Sequence, residues 1–291
     1  MKKILITGAN GYIGSSVEKW LSQYPDWFQV KTVNIKNGLW KEMDFSGYDV
    51  VLHVAGIAHV SYDPNMKDLY YKVNCDLTIG LARKAKSENV KQFIFMSSAI
   101  VYGDSAPIGK AKMITKDTEP IPSNFYGASK LEAENNIRKY GDDHFKVAIF
   151  RPPMIYGKGC KGNYPILAKY AIHLPVFPNI ENARSMLHID NLCEFIRLII
   201  TNDESGTFFP QNSEHVKTSD MVKMIAEVHG KKIYLTKIFN WILRISHLTL
   251  VNKAFGNFAY DLSLSDYDKG NYRIRDFRES IFMSEFEIME D

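Results

Sequence analysis

The sequence predicts an α/β protein, a doubly wound parallel sheet followed by a smaller C-terminal lobe. Three observations predict it. Short apolar runs alternate with helical patterns through the first half of the chain, the order expected of parallel strands joined by crossover helices. Those runs are close to continuously apolar, as strands covered on both faces must be. The first run ends in a glycine loop, LITGANGYIG, with glycines at 8, 11 and 14 leading into a helix.

The elements follow in order. KILITG reads as the first strand, and residues 12–24 as a helix with Ile13, Val17, Trp20 and Leu21 on one face. QVKTVNI is the second strand and DVVLHVAG the third. Residues 66–87 read as a helix, QFIFMSS as the fourth strand, NFYGASKLEAENNIRKY as a long helix and KVAIFRPP as the fifth strand. After Pro153 the texture changes. YGKGCKGNYPIL is loop-like and basic, HIDNLCEFIRLIITN a helix, GTFFPQN a strand, and TSDMVKMIAEVHG a helix with a Thr/Ser cap that stops at Gly230. The expected division is a dinucleotide-binding core over residues 1–153 and a mixed α/β substrate lobe over 154–291.

Composition bounds the function. With 291 residues, 45% hydrophobic and 24% charged, the chain can bury a sizeable core. A net charge of +3 and the absence of any Lys/Arg run longer than two exclude a basic nucleic-acid stripe. Cys75, Cys160 and Cys193 are far apart and lack C-x-x-C spacing, so no disulfide framework and no metal site is expected. The N-terminal apolar run, ILI, is stopped by Thr7 and Gly8, well short of the about 7–15 residues of a signal sequence. No stretch approaches the roughly 18 apolar residues of a membrane span, and a cytoplasmic protein is expected. Residues 233–258 are apolar with scattered basic residues. Such a segment suits an interfacial membrane helix; interruptions at Asn240, Arg244 and His247 favour a helix packed on the lobe instead.

A strand, a tight glycine turn and a helix N-terminus together make an anion site, because the first helical amides are unpaired and the dipole end is positive. Gly8 permits the turn, Gly11 lets the backbone approach a pyrophosphate, and Gly14 lets helix and strand pack closely. The end of the second strand, where an acidic residue usually meets a ribose hydroxyl, carries Asn34 with Lys36 two residues on. Asn34 leaves NAD and NADP both open as the cofactor. Asp44 and Phe45 fall where an adenine edge would lie, or at an ordinary turn cap.

Tyr126 and Lys130, in YGASK, are four apart and share a helix face. An ammonium beside a phenol is expected to lower the tyrosine pKa, which makes Tyr126 a general base for a sugar hydroxyl or a general acid for a ketone. Ser98, at the C-terminal end of the fourth strand, is placed to bond the same oxygen.

TGANGYIG, HVAG (53–56), VN (73–74), SSAIVYG (97–103), YGASK (126–130), RPPMIYG (151–157) and RSMLHIDNL (184–192) resemble, in order, the extended short-chain dehydrogenase/reductases of the NAD-dependent epimerase/dehydratase family. The resemblance covers roughly residues 4–195. It implies a Rossmann-type fold, UDP-glucose 4-epimerase-like chemistry and nucleotide-diphosphate sugars as substrates, with a homodimer as the form of association. It implies cofactor contacts at Gly8, Gly11, Tyr12, Ile13, Gly14, Asp44, Phe45, Ala55, Gly56, Asn74, Tyr126 and Lys130, and catalysis by Ser98, Tyr126 and Lys130. It places Arg184 and Asn163 against the sugar-nucleotide diphosphate. His188, in MLHI, reads as structural.

One departure from the family pattern is informative. Members that eliminate water resemble S-T-D-E-V-Y-G, with an acid and a base after the hydroxyl residue. Ala99 and Ile100 stand there and can move no proton, which argues against a dehydratase. Three readings remain: a nucleotide-sugar 4-epimerase holding NAD, an NAD(P)H-dependent 4-ketoreductase, and a dinucleotide-sensing protein without chemistry. The intact Ser98, Tyr126 and Lys130 argue against the last.

Overall fold

The computed structural model of the chain describes residues 1–57, 63–238, 240–245 and 249–286, with the side chains of residues 36, 37, 249 and 250 outside the description. The chain begins with β1 (Lys2–Thr7), α1 (Tyr12–Leu21), β2 (Phe28–Val33), β3 (Val50–His53), α2 (Lys67–Tyr70), α3 (Leu77–Ser87) and β4 (Gln92–Met96). It continues through β5 (Met113–Ile114), α4 (Phe125–Ile137), β6 (Lys146–Phe150), β7 (Met154–Tyr156), α5 (Asn163–His173), β8 (Val176–Pro178), β9 (Met186–His188) and α6 (Ile189–Thr201). It closes with β10 (Gly206–Phe208), α7 (Thr218–Val228), β11 (Tyr234–Thr236), α8 (Asn240–Ile245), α9 (Thr249–Phe255), β12 (Ala259–Tyr260) and α10 (Phe277–Glu285).

Two compact units result. The first comprises residues 1–103, 119–152 and 192–210, and the second 104–118, 153–191 and 211–291. A single boundary after Pro153 therefore gives way to a chain that leaves the first unit and returns to it. The return has a clear cause. β10, read from the sequence as part of the lobe, pairs in parallel with β6, Gly206 opposite Ala148 and Phe208 opposite Phe150. The sheet has six strands in the order β2-β1-β3-β4-β6-β10, every pair parallel.

The near-continuous apolarity of the strands is explained by their burial. Ile4, Leu5, Val50, Val51, Leu52, Phe93, Ile94 and Phe95 are all completely buried. One face of the sheet packs Leu5, Val51, Phe93 and Ile149 against Leu81, Ala85, Ala133 and Ile137 of α3 and α4. Strand order reverses between β1 and β3, and the crevice at the C-terminal ends of strands flanking such a switch is where open α/β sheets bind ligands. The helix expected over 66–87 is continuous but contains a π-helical turn, Tyr71–Asp76, that carries Asn74; such turns recur at functional sites.

The second unit is built from three two-stranded parallel sheets, β8/β11, β7/β9 and β5/β12, with helices around them. The loop expected over residues 156–167 is partly regular. Tyr156 ends β7, and α5 begins at Asn163 behind Gly162, whose φ of 99° makes the turn. Pro165 sits in the first turn of α5, where its missing N–H costs nothing. Residues 233–258 do not form one helix. They comprise β11, α8 and α9, and His247 lies outside the described residues.

Candidate active site

The glycine loop closes the β1–β2 end of the sheet. The amides of Gly8 and Ala9 both donate to the Val33 carbonyl, at 3.0 and 3.1 Å, so the loop is tied to the residue before Asn34. Gly8 has φ +109°, and a Cβ there would lie 3.0 Å from the Ala55 amide nitrogen; the loop thus abuts the segment after β3. Gly11 is the N-cap of α1 and has no side chain to cap the helix start, as a helix N-terminus that meets an anion requires. These features fit a dinucleotide pyrophosphate. Asn34 is exposed just beyond β2, while the Lys36 side chain lies outside the described residues.

Asp44 and Phe45 are placed differently from each other. Phe45 is a core residue with no exposed surface, and its amide donates to the Glu88 carboxylate at 2.5 Å. Asp44 is exposed, and its carboxylate caps the Ser46 amide at 2.8 Å; the Ser46 hydroxyl, and after it that amide, hold its pKa below the ordinary value. Asp44 caps a turn, and the Phe45 side chain packs in the core.

Asn74 also acts from within. It is fully buried. Its Oδ1 accepts from the Ile57 amide at 2.9 Å, and its Nδ2 donates to the Ile57 carbonyl and to Ser129 Oγ at 3.1 and 3.2 Å. Ser129 in turn donates to the Tyr126 carbonyl at 2.9 Å. Asn74 therefore braces the Ala55–Gly56 loop against α4.

Ser98 and Tyr126 meet. The Ser98 hydroxyl lies close enough to the Tyr126 phenol to favour its ionised form, and both side chains are half-buried. The helix start that delivers Tyr126 is fixed by Asn124, whose side chain accepts from the Gly127 amide at 2.9 Å. Gly127 has to be glycine for a reason of contact: a Cβ there would come 2.8 Å from the Ile100 carbonyl in the turn that follows Ser98.

Lys130 shares the helix face of Tyr126 but spends its ammonium elsewhere. Nζ donates to the Met96 carbonyl at 2.9 Å and lies 4.5 Å from the centroid of the Phe95 ring. Burial pushes its pKa down to about 7, against an opposing pull from Glu134. The Tyr126 pKa is raised, chiefly by burial, with the Ser98 hydroxyl working the other way and Tyr70 adding to the rise. The lowered phenol pKa expected from the i, i+4 spacing is thus not what this structure holds. Desolvation penalises both charged forms and outweighs the spacing.

Two buried networks were not foreseen. Thr78 Oγ1 donates to the Asn74 carbonyl at 2.8 Å, so it must accept from His53 Nε2–H at 3.0 Å, and His53 Nδ1 must accept from Thr7 at 2.6 Å. His53 is therefore a neutral Nε2–H tautomer, and burial and Lys130 push its pKa down to about 3. A hydrogen-bonded chain from Thr7 to Tyr126 results. In the second network Glu134, with no exposed side-chain surface, accepts from Ser97 at 2.5 Å and from Arg151 at 2.6–3.1 Å, and Arg151 donates to Tyr102 at 2.6 Å. A carboxylate one turn after Lys130 on the same helix was the signal available in the sequence.

In the second unit Arg184 is half-buried. Nη1 donates to the Gly256 carbonyl at 2.8 Å and to Ser105 Oγ at 3.3 Å, and burial pushes its pKa down to about 10. Both partners are neutral oxygens, so its charge is left for an anion. Asn163 is exposed as the first residue of α5. His188 is buried, takes the Asp190 amide on Nδ1 at 3.3 Å and has its pKa pushed down to about 4 by burial.

The chain is similar to known proteins in sequence and in fold. The chain is 29% identical over 292 residues to the UDP-glucose 4-epimerase of Vibrio cholerae, covering 90% of this chain and 88% of that protein. The fold matches the UDP-glucuronic acid 4-epimerase of Bacillus cereus, solved with NAD, at a TM-score of 0.73 and 19% identity over 97% of both chains. It also matches a dTDP-4-dehydrorhamnose reductase of Clostridium acetobutylicum at 0.71 and 20%, over 97% and 98%. Residues 4–209 match the model of the NAD dependent epimerase/dehydratase family, and the chain belongs to that family.

Proposed function

We propose that the chain is a nucleotide-sugar 4-epimerase acting on a UDP-hexose or a UDP-N-acetylhexosamine with tightly held NAD. The observation that carries this is the gathering of Ser98, Tyr126 and Lys130 at the C-terminal end of β4, where Lys130 bonds the Met96 carbonyl and Gly127 packs on Ile100, with Ala99 and Ile100, which have no proton to give, after Ser98. The glycine loop and the first-turn amides of α1 would hold the pyrophosphate, and Asn34 the ribose. When bound, the nicotinamide supplies a hydride acceptor and donor for C4 of the sugar. Tyr126 takes the C4 hydroxyl proton and later returns it, while Ser98 bonds the same oxygen through both changes. The raised phenol pKa means that Tyr126 starts protonated, so its own proton must first pass to solvent, and the charge of Lys130 on the same helix face would favour the phenolate that then takes the C4 hydroxyl proton. Arg184 and Asn163 bind the diphosphate, the guanidinium through its fork.

An NAD(P)H-dependent 4-ketoreductase is the second reading, supported by Asn34 in place of an acidic ribose partner. One experiment separates them. An epimerase regenerates its oxidised cofactor in each cycle, so protein purified without added cofactor should contain NAD. It should also interconvert a UDP-hexose or UDP-N-acetylhexosamine with its C4 epimer. Protein that arrives empty, leaves such pairs untouched and oxidises NADPH only with a UDP-4-keto-6-deoxy sugar would replace the epimerase by the reductase.

A further inference from the structure

One surface of the second unit is used neither by its core nor by the proposed chemistry. From residue 231 to residue 258 the chain carries Lys231, Lys232, Lys237, Arg244 and Lys253 and no acidic residue. The whole chain has 33 acidic residues and a net charge of +3, so the rest of it is net negative. Within this basic stretch Ile238, Trp241, Ile242 and Ile245 are 73%, 65%, 47% and 64% exposed. Trp241 and Ile242 each lie one turn before Ile245 and so share a face of α8 with it.

The other side of α8 is anchored. Asn240 Nδ2 donates to the Asn179 carbonyl, just past β8, at 2.8 Å, and Leu243 is half-buried. The β8/β11 sheet also carries exposed apolar side chains. Val176 and Tyr234 are register partners in β8 and β11 and are 39% and 68% exposed. Phe177, pointing the other way, is buried on Phe255 with ring centroids 5.5 Å apart. Glu181 is within electrostatic reach of Lys237 but is already paired with Lys217 at 2.6 Å.

Large apolar side chains interleaved with cations match the boundary between lipid headgroups and acyl chains. There the apolar groups leave water, tryptophan takes the interface and lysine and arginine meet phosphates. No helix among the described residues is long and apolar enough to cross a membrane, so the contact is superficial. A second copy of the chain is a poorer occupant, because a twofold interface would set this patch against itself, cation against cation. We propose that the α8 face of the second unit docks on an anionic lipid bilayer, with Trp241 and Ile245 entering the interface and Lys237 and Arg244 binding the headgroups.

Flotation of the full chain with vesicles tests this independently of the proposed reaction. The chain should float with phosphatidylcholine vesicles containing about a third phosphatidylglycerol, roughly tenfold less with phosphatidylcholine alone, and less at high salt. The Trp241→Glu/Ile245→Glu variant should bind at least roughly tenfold more weakly, with its melting temperature and its turnover of a water-soluble sugar nucleotide unchanged. Lys237→Glu/Arg244→Glu should lose the phosphatidylglycerol dependence, and it decides the matter alone if the first variant fails to fold. Wild-type chain that stays in the aqueous fraction, or a Trp241/Ile245 variant that floats as wild type does, overturns the proposal. So does a wild-type dimer that ignores vesicles and becomes a monomer on these substitutions, which would make the face a self-interface.

Discussion

Lys130 in the first unit and Arg184 in the second are both cations that donate to neutral oxygens, and their difference is instructive. Lys130 is 4% exposed, held by the Met96 carbonyl and the Phe95 ring, and its pKa falls to about 7. Arg184, held by Gly256 and Ser105, falls only to about 10. The same cost of burial leaves an ammonium able to lose its proton near working pH and a guanidinium permanently charged. The first unit thus holds a cation suited to proton chemistry, and the second a cation suited to holding an anion.

The largest test of that contrast is Tyr126→Phe, which removes the proposed proton-transfer atom one turn before Lys130 on α4. Turnover, followed by NMR of the sugar nucleotide, should fall about 10²–10⁴-fold, the usual worth of a positioned acid–base group. Affinity for substrate and cofactor should change little. Activity within a few-fold of wild type would put the base elsewhere and dissolve the contrast.

Arg184→Ala should weaken UDP-sugar binding by roughly 1.5–3 kcal/mol, the scale of a charged hydrogen bond, and leave NAD affinity unaltered in calorimetric titration. Arg184→Lys should recover only part of the loss, since a point charge does not reproduce the fork. Equal loss of both ligands would make Arg184 a structural residue.

The smallest effect concerns Lys130 and pH. Its folded pKa of about 7 lies below the ordinary 10.5, so between those values the unfolded chain binds a proton that the folded chain does not. Stability therefore rises with pH across that window, by at most about 1.4 kcal/mol per pH unit, and the charging cost is complete below it. Lys130→Met removes this dependence. Denaturant unfolding at several pH values from neutral upward should show wild type gaining on the variant. Parallel curves would mean that Lys130 titrates as an exposed lysine does.

The first unit was largely legible because its signals are local. A glycine loop between a strand and a helix, apolar runs buried on both faces and an i, i+4 Tyr/Lys pair each need only neighbouring residues to be recognised. What escaped depends on distant partners. GTFFPQN looks the same whether it pairs within a lobe or with β6, and only the register of Phe208 on Phe150 decides it. The i, i+4 spacing placed Lys130 on the right face but could not show the Met96 carbonyl that takes its ammonium. His53 read as one more residue of an apolar strand until Thr7 and Thr78 were found on its two nitrogens. Asn163 and Arg184 rest on motif resemblance alone, since the second unit's short strands carry little periodicity.

The late arrival of β10 bears on how the chain is made. β6 is complete at Phe150, but its outer edge has no strand until Phe208 follows, roughly sixty residues later. At about 5–20 residues per second a nascent chain spends about 3–12 s with that edge open. An open, apolar strand edge is a template for pairing with other chains. A fragment ending near residue 153 keeps that edge for good and should aggregate, whereas one extended to residue 210 carries its own cover.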